Sequence, residues 1–296
     1  MELRHLRYFL AVAEELNFRR AAERVGIAQP PLSSQIHDLE AELGVRLFRR
    51  VPKGAELTEA GSAFLAEVPS IFERVEHAVH MAQRGGRGEV GQLRVGYTGS
   101  TSFNEIVPKA LRQFRRAYPE VELALEELNS LQLLDRLAHH RLDAVFIRPA
   151  KELPSWAVIL SLPSESMVVV VPAEHRLAEC YAIELKELAG EPLIMFSRTL
   201  GPALYDEVIE ACRQAGFEPT IKQIAPQITS IANLVAVELG VSIVPARTAN
   251  AAVAGVRYIP ITGLAPVARL ALATRADDRS VITSNFVALV RRTARE

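Results

Sequence analysis

The sequence predicts an α/β body carried behind an all-helical head, with one long helix between them. Three observations predict this plan. The first 57 residues alternate short amphipathic helical patterns with glycine turns. Residues 58–84 then carry a single apolar stripe with no break. From about residue 90, β-rich runs alternate with helical ones to the end, the signature of parallel βαβ units.

In the head, Leu3, Leu6, Phe9, Leu10 and Ala13 follow helical spacing. Asn17 stands where an N-cap is wanted, and a second helix, Phe18–Val25, ends at Gly26. A third, from about Gln29 to Leu43, places Leu32, Ile36, Leu39 and Leu43 on one face, with Gly44 ending it. Thr58 can cap the long helix, whose apolar positions Leu65, Val68, Phe72, Val75, Val79 and Ala82 step by three and four as in a coiled-coil seam. Such a stripe needs a partner, and a second copy of the chain is expected. Pro69 should kink this helix or interrupt its bonding. The run Gly85-Gly-Arg-Gly88 reads as a flexible linker.

In the body, strands are expected at Leu93–Tyr97, Val121–Leu125, Asp143–Ile147, Met167–Val171, Leu193–Phe196, Ile221–Ile224 and Val241–Val244, with helices near 104–117, 130–141, 203–215, 229–239 and 280–294. The expected domains are 1–57, a connecting helix and hinge at 58–88, and 89–296.

Composition narrows the class. With 49% hydrophobic and 23% charged residues, this is a globular protein rather than a disordered or fibrous one. No apolar run nears the roughly 18–20 residues of a membrane span. The acids in the first helix argue against a secretory signal, so a cytoplasmic location without membrane contact is expected. Cys180 and Cys212 form no metal framework and suit a reducing compartment, a disulfide between them being the alternative. His77 and His80 share a helical face, but no acid or cysteine completes a metal site. No cofactor or metal is expected, and the absence of G-x-S-x-G, P-loop and Rossmann glycine patterns argues against an enzyme. The net charge of -1 gives no global nucleic-acid signal, so any case for DNA rests on local distribution.

That distribution centres on Ala28-Gln-Pro-Pro-Leu-Ser-Ser-Gln-Ile-His37. Prolines in a first helical turn lose nothing, because those N–H groups have no intrahelical partner. Pro30, Ser33, Ser34 and His37 fall opposite the apolar stripe. Short helix, turn and second helix with a compact polar face form the helix-turn-helix plan, in which the second helix enters the major groove. On this stretch alone, a solvated face is the competing reading. Its neighbour changes the weighting: Arg46, Arg49, Arg50 and Lys53 cluster around an expected β-turn, although residues 1–60 balance nine Lys and Arg against nine Asp and Glu. A basic wing lying on phosphates accounts for such a patch.

The pattern LRYFLAVAEELNFRRAAERVGIAQPPLSSQIHDLEAELGVRLFRR…LTEAG resembles the winged helix-turn-helix of LysR-type transcriptional regulators. The later LRVGYTGS, LDAVFIR and LGVSIVPA resemble that family's periplasmic-binding-protein-like effector domain, so the likeness covers nearly the whole chain. It implies two Rossmann-like subdomains, one of about 89–162 with 267–296 and a second of about 163–266, the chain crossing near 161–167 and 264–268. Within the family the chain looks most like regulators of aromatic-compound catabolism, the phenylpropionate/cinnamate and benzoate/muconate branch. The resemblance puts Gln29, Pro30, Pro31, Ser33 and Ser34 on the recognition helix, and Arg50 and Lys53 on the wing. Ala28 stands where a Ser cap is common, and Ser34 where Arg is common, which weakens the expected base readout. The resemblance further implies a homodimer through the helix at 58–84, tetramers through the effector domains, a promoter site of two-fold symmetry, and RNA polymerase as a partner.

A small-molecule site is expected at the carboxyl ends of the body's strands. Ser100, Thr101 and Ser102 follow the first strand and suit a carboxylate at a helix N-terminus, or form an ordinary capped turn. Ser130 follows the second strand by the same logic. Arg148 ends the third and could balance an anion through its planar fork, or join the subdomains in a salt bridge. The resemblance maps the cleft onto these residues with Pro202, Leu204, Ile228 and Thr229, whose apolar members imply an aromatic or unsaturated acid as effector. The rival readings are an effector-independent DNA-binding protein and a solute-binding or enzymatic α/β protein.

Overall fold

The computed structural model describes residues 1–52 and 54–296; the expected wing residue Lys53 lies outside the described residues. The chain divides into two compact units, Met1–Gln83 and Arg84–Glu296.

In the first unit, α1 (Leu3–Glu15), α2 (Phe18–Val25) and α3 (Gln29–Leu43) precede a two-stranded wing, β1 (Phe48–Val51) and β2 (Gly54–Leu57), with Phe48 opposite Leu57. The Asn17 side chain accepts from the N–H groups of Arg19 and Arg20, the expected cap. Ala28 supplies no side-chain cap to α3, so the prolines of its first turn carry the helix start alone. Phe9, Leu32, Ile36 and Leu39 are buried in one core with Leu47 and Phe48 of the wing. Each such side chain contributes roughly 1.5–3 kcal/mol by leaving water.

The long helix α4 (Glu59–Gly86) starts where the Thr58 hydroxyl accepts from the Gly61 N–H at 2.9 Å. Gly61 is required by contact: a Cβ there would stand 2.1 Å from the Leu47 carbonyl oxygen. The helix runs through Pro69 as one element, so the proline removes one N–H rather than ending it. Of the expected seam, Val68 is buried and Val79 is 51% exposed.

The second unit begins where a flexible glycine linker was expected, and the structure corrects that reading. Glu89 N donates to the Arg84 carbonyl, Asn285 Nδ2 donates to the Arg87 carbonyl, and Arg84 pairs with both Glu89 and Glu120. The glycines close a helix end against the C-terminal helix because Gly88 adopts φ +68° and leaves no room for a Cβ beside Ile282.

This unit is two α/β halves sharing two long strands. In the first half, β3 (Gly91–Tyr97), β4 (Val121–Glu127) and β5 (Ala144–Ile147) are parallel in the order β4-β3-β5. Around them lie α5 (Gly99–Ser102), α6 (Ile106–Ala117), α7 (Ser130–Ala138) and the last helix, α10 (Val281–Thr293). The second half holds β7 (Ile183–Glu184), β8 (Pro192–Phe196), α8 (Pro202–Gln214), β9 (Thr220–Ala225), α9 (Ile231–Ala236), β10 (Ser242–Pro245) and β11 (Val256–Thr262). Between the halves run β6 (Ala157–Pro172) and β12 (Val267–Arg275). The early part of β6 pairs antiparallel with β12, and its later part with β10 and β11. The expected strands are all present, but β7, β11, β12 and the first half of β6 lie beyond them. Each half has its own core, one around Phe114, Phe146 and Phe286, the other around Val169, Met195 and Ile243.

Candidate functional site

On α3, Gln29, Pro30, Pro31, Ser34 and His37 are exposed and Ser33 is half-buried, while Leu32, Ile36 and Leu39 are buried. The Arg50 guanidinium on β1 lies 5.7 Å from the centre of the Phe18 ring, where the π face orients it without neutralising it. Arg49 instead pairs with Glu56. Two residues that periodicity did not single out join helix to wing. Glu40, 6% exposed, accepts from the Leu47 and Phe48 N–H groups at 2.8 and 3.1 Å and from Arg46 at 2.7 Å. Arg46 Nη1 also lies 3.3 Å from His37 Nδ1, extending the basic surface from the wing onto the helix.

In the second unit a cleft of about 220 Å³ opens between the two halves. It is floored by the segments that follow the carboxyl ends of β3, β4, β5, β8 and β9, where open α/β sheets bind ligands. Of the expected residues, Ser100, Ser130, Arg148, Leu204, Ile228 and Thr229 line it. Thr101, Ser102 and Pro202 do not. Thr101 is fully buried, its hydroxyl donating to the Thr98 carbonyl at 2.8 Å; the Ser102 hydroxyl donates to the Gly99 carbonyl; Pro202 opens α8. The lining adds Thr98, Gly99, Glu127, Asn129, Gln132 and Gln227 on the polar side, and Leu128, Phe196, Leu200 and Pro226 on the apolar side. Periodicity could not find these, because they follow strand ends and meet only across the gap.

Arg148 is 5% exposed and every one of its five N–H groups has an acceptor. Nε donates to Ser100 Oγ at 3.3 Å, and Nη1 to the carbonyls of Ala268 and Arg269 at 3.1 and 3.2 Å. Nη2 donates to the Ser100 carbonyl at 3.1 Å and to Glu165 on β6. Burial pulls the guanidinium below its usual range, and the Glu165 carboxylate opposes that pull. The salt-bridge alternative for Arg148 is thus present. Through it the Ser100 turn is tied to both shared strands.

A winged reading head followed by a two-lobed body with a cleft at its strand ends defines a DNA-binding regulator with a small-molecule sensing domain. A family model for the bacterial regulatory helix-turn-helix protein, lysR family, matches residues 3–62, and one for the LysR substrate binding domain matches residues 86–295. The chain belongs to the LysR family of transcriptional regulators, which are not enzymes. It is 40% identical over 261 residues to the uncharacterized regulator YnfL of Escherichia coli, covering 88% of each chain. It is 34% identical to AlsR of Bacillus subtilis over 97% of this chain and 94% of that one. Full-length CbnR complexed with its target DNA superposes with a TM-score of 0.86 at 31% identity, over 99% of this chain and 100% of CbnR. Among the described residues no helix is long and apolar enough to cross a membrane.

Proposed function

We propose that this regulator answers to a small aromatic or unsaturated carboxylic acid bound in the cleft, and that it controls genes of aromatic-compound catabolism. The observation that carries the reading is the division of the cleft lining. Phe196, Leu200, Leu204 and Ile228 of the second half offer an apolar wall with Thr229 beside it, and Ser100, Ser130 and the amides of Asn129 and Gln132 come from the first half. The open volume lies below the roughly 300–1,000 Å³ of drug-sized pockets, which suits a molecule of one ring or less. A carboxylate there takes hydroxyl and backbone N–H donors, and the start of α7 adds its dipole.

The acid acts by population shift. It favours the closure of the two halves that it binds better, and only that difference in affinity can be transmitted. In the reading head, Gln29, Pro30, Pro31, Ser33, Ser34 and His37 face base edges while Arg50 and Lys53 lie on phosphates. Two copies joined along α4 present two reading helices to a two-fold site, the bodies assemble the tetramer, and RNA polymerase receives the signal.

A thermal-shift screen of aromatic and unsaturated acids on the full chain tests this, since a specific ligand raises stability as RT ln(1 + [L]/Kd). At least one acid should raise the melting temperature of the body and change the mobility of a DNA complex. If none does so at millimolar concentration, the effector-independent reading takes its place.

A further inference from the structure

We infer that Glu127 selects the effector: the ligand is at most singly anionic and carries a hydrogen-bond donor, a hydroxyl or an amino group, turned toward the Glu127 carboxylate. The inference rests on the cleft being the effector site, as proposed above.

The charge balance of the cleft leads to it. Arg148 is the one Lys, Arg or His side chain among the described residues lining the cleft, and its five N–H groups are all engaged by protein acceptors. Its charge is answered by Glu165. An incoming carboxylate could reach this guanidinium only by breaking a bond that is already made. Glu127 is the other charged group on the lining. Its neighbour Glu126 pairs with Arg136, whereas Glu127 has no ion-pair partner among the described residues. The cleft with Glu165 counted therefore carries a net negative charge, which opposes a dianion; Glu127 is exposed, so solvent and salt screen that repulsion in part.

Position adds a direction. A Cβ on Gly99 would stand 2.9 Å from Glu127 Oε1 and 3.3 Å from Thr229 Cγ2, so these side chains from opposite halves converge over the bare Gly99 backbone. They leave no room for an added atom over Gly99 itself, so a ligand group that meets the Glu127 carboxylate comes from the open cleft, beside the Thr229 side chain of the other half. An ionised carboxylate only accepts, so that group must donate.

The test measures binding of benzoate, 3-hydroxybenzoate, 3-aminobenzoate, phthalate and neutral 3-hydroxybenzyl alcohol to the full chain and to its Glu127→Gln variant by titration calorimetry. The expected result is that a donor-bearing monoacid binds wild type about tenfold or more tightly than benzoate, as suits a hydrogen bond to a charged acceptor. Phthalate should bind wild type more weakly than the monoacids, and Glu127→Gln should narrow both differences. Phthalate binding wild type as tightly as the monoacids, or unchanged ratios in Glu127→Gln, overturns the inference while leaving the effector site in place. The neutral alcohol binding where no acid does supports Glu127 and overturns the acid reading. No binding by any probe to either protein overturns both.

Discussion

Glu40 and Arg46 form an ion pair at 2.7 Å in which the carboxylate is buried and the guanidinium is open to solvent. The same carboxylate takes the first N–H groups of the wing, so one side chain of the reading helix sets where the wing begins. Glu40→Ala would leave those two buried donors without an acceptor, at about 1–3 kcal/mol each. Calorimetry should show the head's unfolding transition falling well below that of wild type while the body's stays in place. Glu40→Gln keeps an acceptor and should recover part of the loss. An unmoved head transition in Glu40→Ala would refute the role given to this contact.

A buried pair that loses one partner is costlier than one that loses both. Glu165→Ala strands the Arg148 charge between the two shared strands and should destabilise the body by about 3–5 kcal/mol. The double variant Arg148→Met, Glu165→Leu removes the stranded charge and should regain most of that in urea unfolding. If the single and double variants are equally unstable, the pair matters only through its packing.

DNA binding should separate by residue type. Arg50→Ala and Lys53→Ala should weaken binding to all sequences alike, each reducing the log–log salt slope by about 1. Gln29 and Ser33 substitutions should instead alter which sequence is preferred, read by competition gel shifts. Arg46→Ala should behave as Arg50→Ala does, because its guanidinium is exposed beside His37. A salt slope untouched by all three cation variants would move the phosphate contacts elsewhere.

The two cysteines should differ sharply. Burial in α8, with Glu218 adding a smaller effect, pushes the Cys212 thiol up to about 11, so it stays protonated and unreactive at pH 8. Cys180 is partly exposed. Disulfide-exchange reagents should titrate one thiol quickly in the native chain and the second only on unfolding. The sign for stability follows: the unfolded thiol ionises near pH 9.0 while the folded one holds its proton, so stability falls as pH rises from 9 towards 11. Cys212→Ala should flatten that slope, and a slope equal to wild type would assign the alkaline loss to other groups.

Much of the architecture is legible in the chain itself, and particular residues show why. Asn17, Thr58 and the paired prolines mark helix starts by local chemistry, and Leu32, Ile36 and Leu39 repeat at a period that only one face can bury. The βα turns announce themselves in the same way, so Ser100, Ser130 and Arg148 could be placed at strand ends by counting. The likeness of the later segments to the LysR-type effector domain supplied the cleft positions Leu204, Ile228 and Thr229, which counting could not reach. Thr101 and Ser102 read as cleft residues because a turn of hydroxyl residues looks alike whichever way each side chain points; the cap geometry turns theirs inward.

The sequence by itself determined the order of parts: reading head, long helix, two-lobed body. Those signals are local, carried by periods of two and 3.6 residues and by caps within one turn. Only the tertiary structure decided that Glu40 is buried as an acceptor for the wing, that Glu127 and Thr229 converge over Gly99, and that Arg148 has no donor left for a ligand. Arg148 meets acceptors 48, 120 and 121 residues away in the chain, brought together by two strands that cross between the lobes. Whether a charge is free or already answered depends on such long-range neighbours, and no pattern along the chain records them.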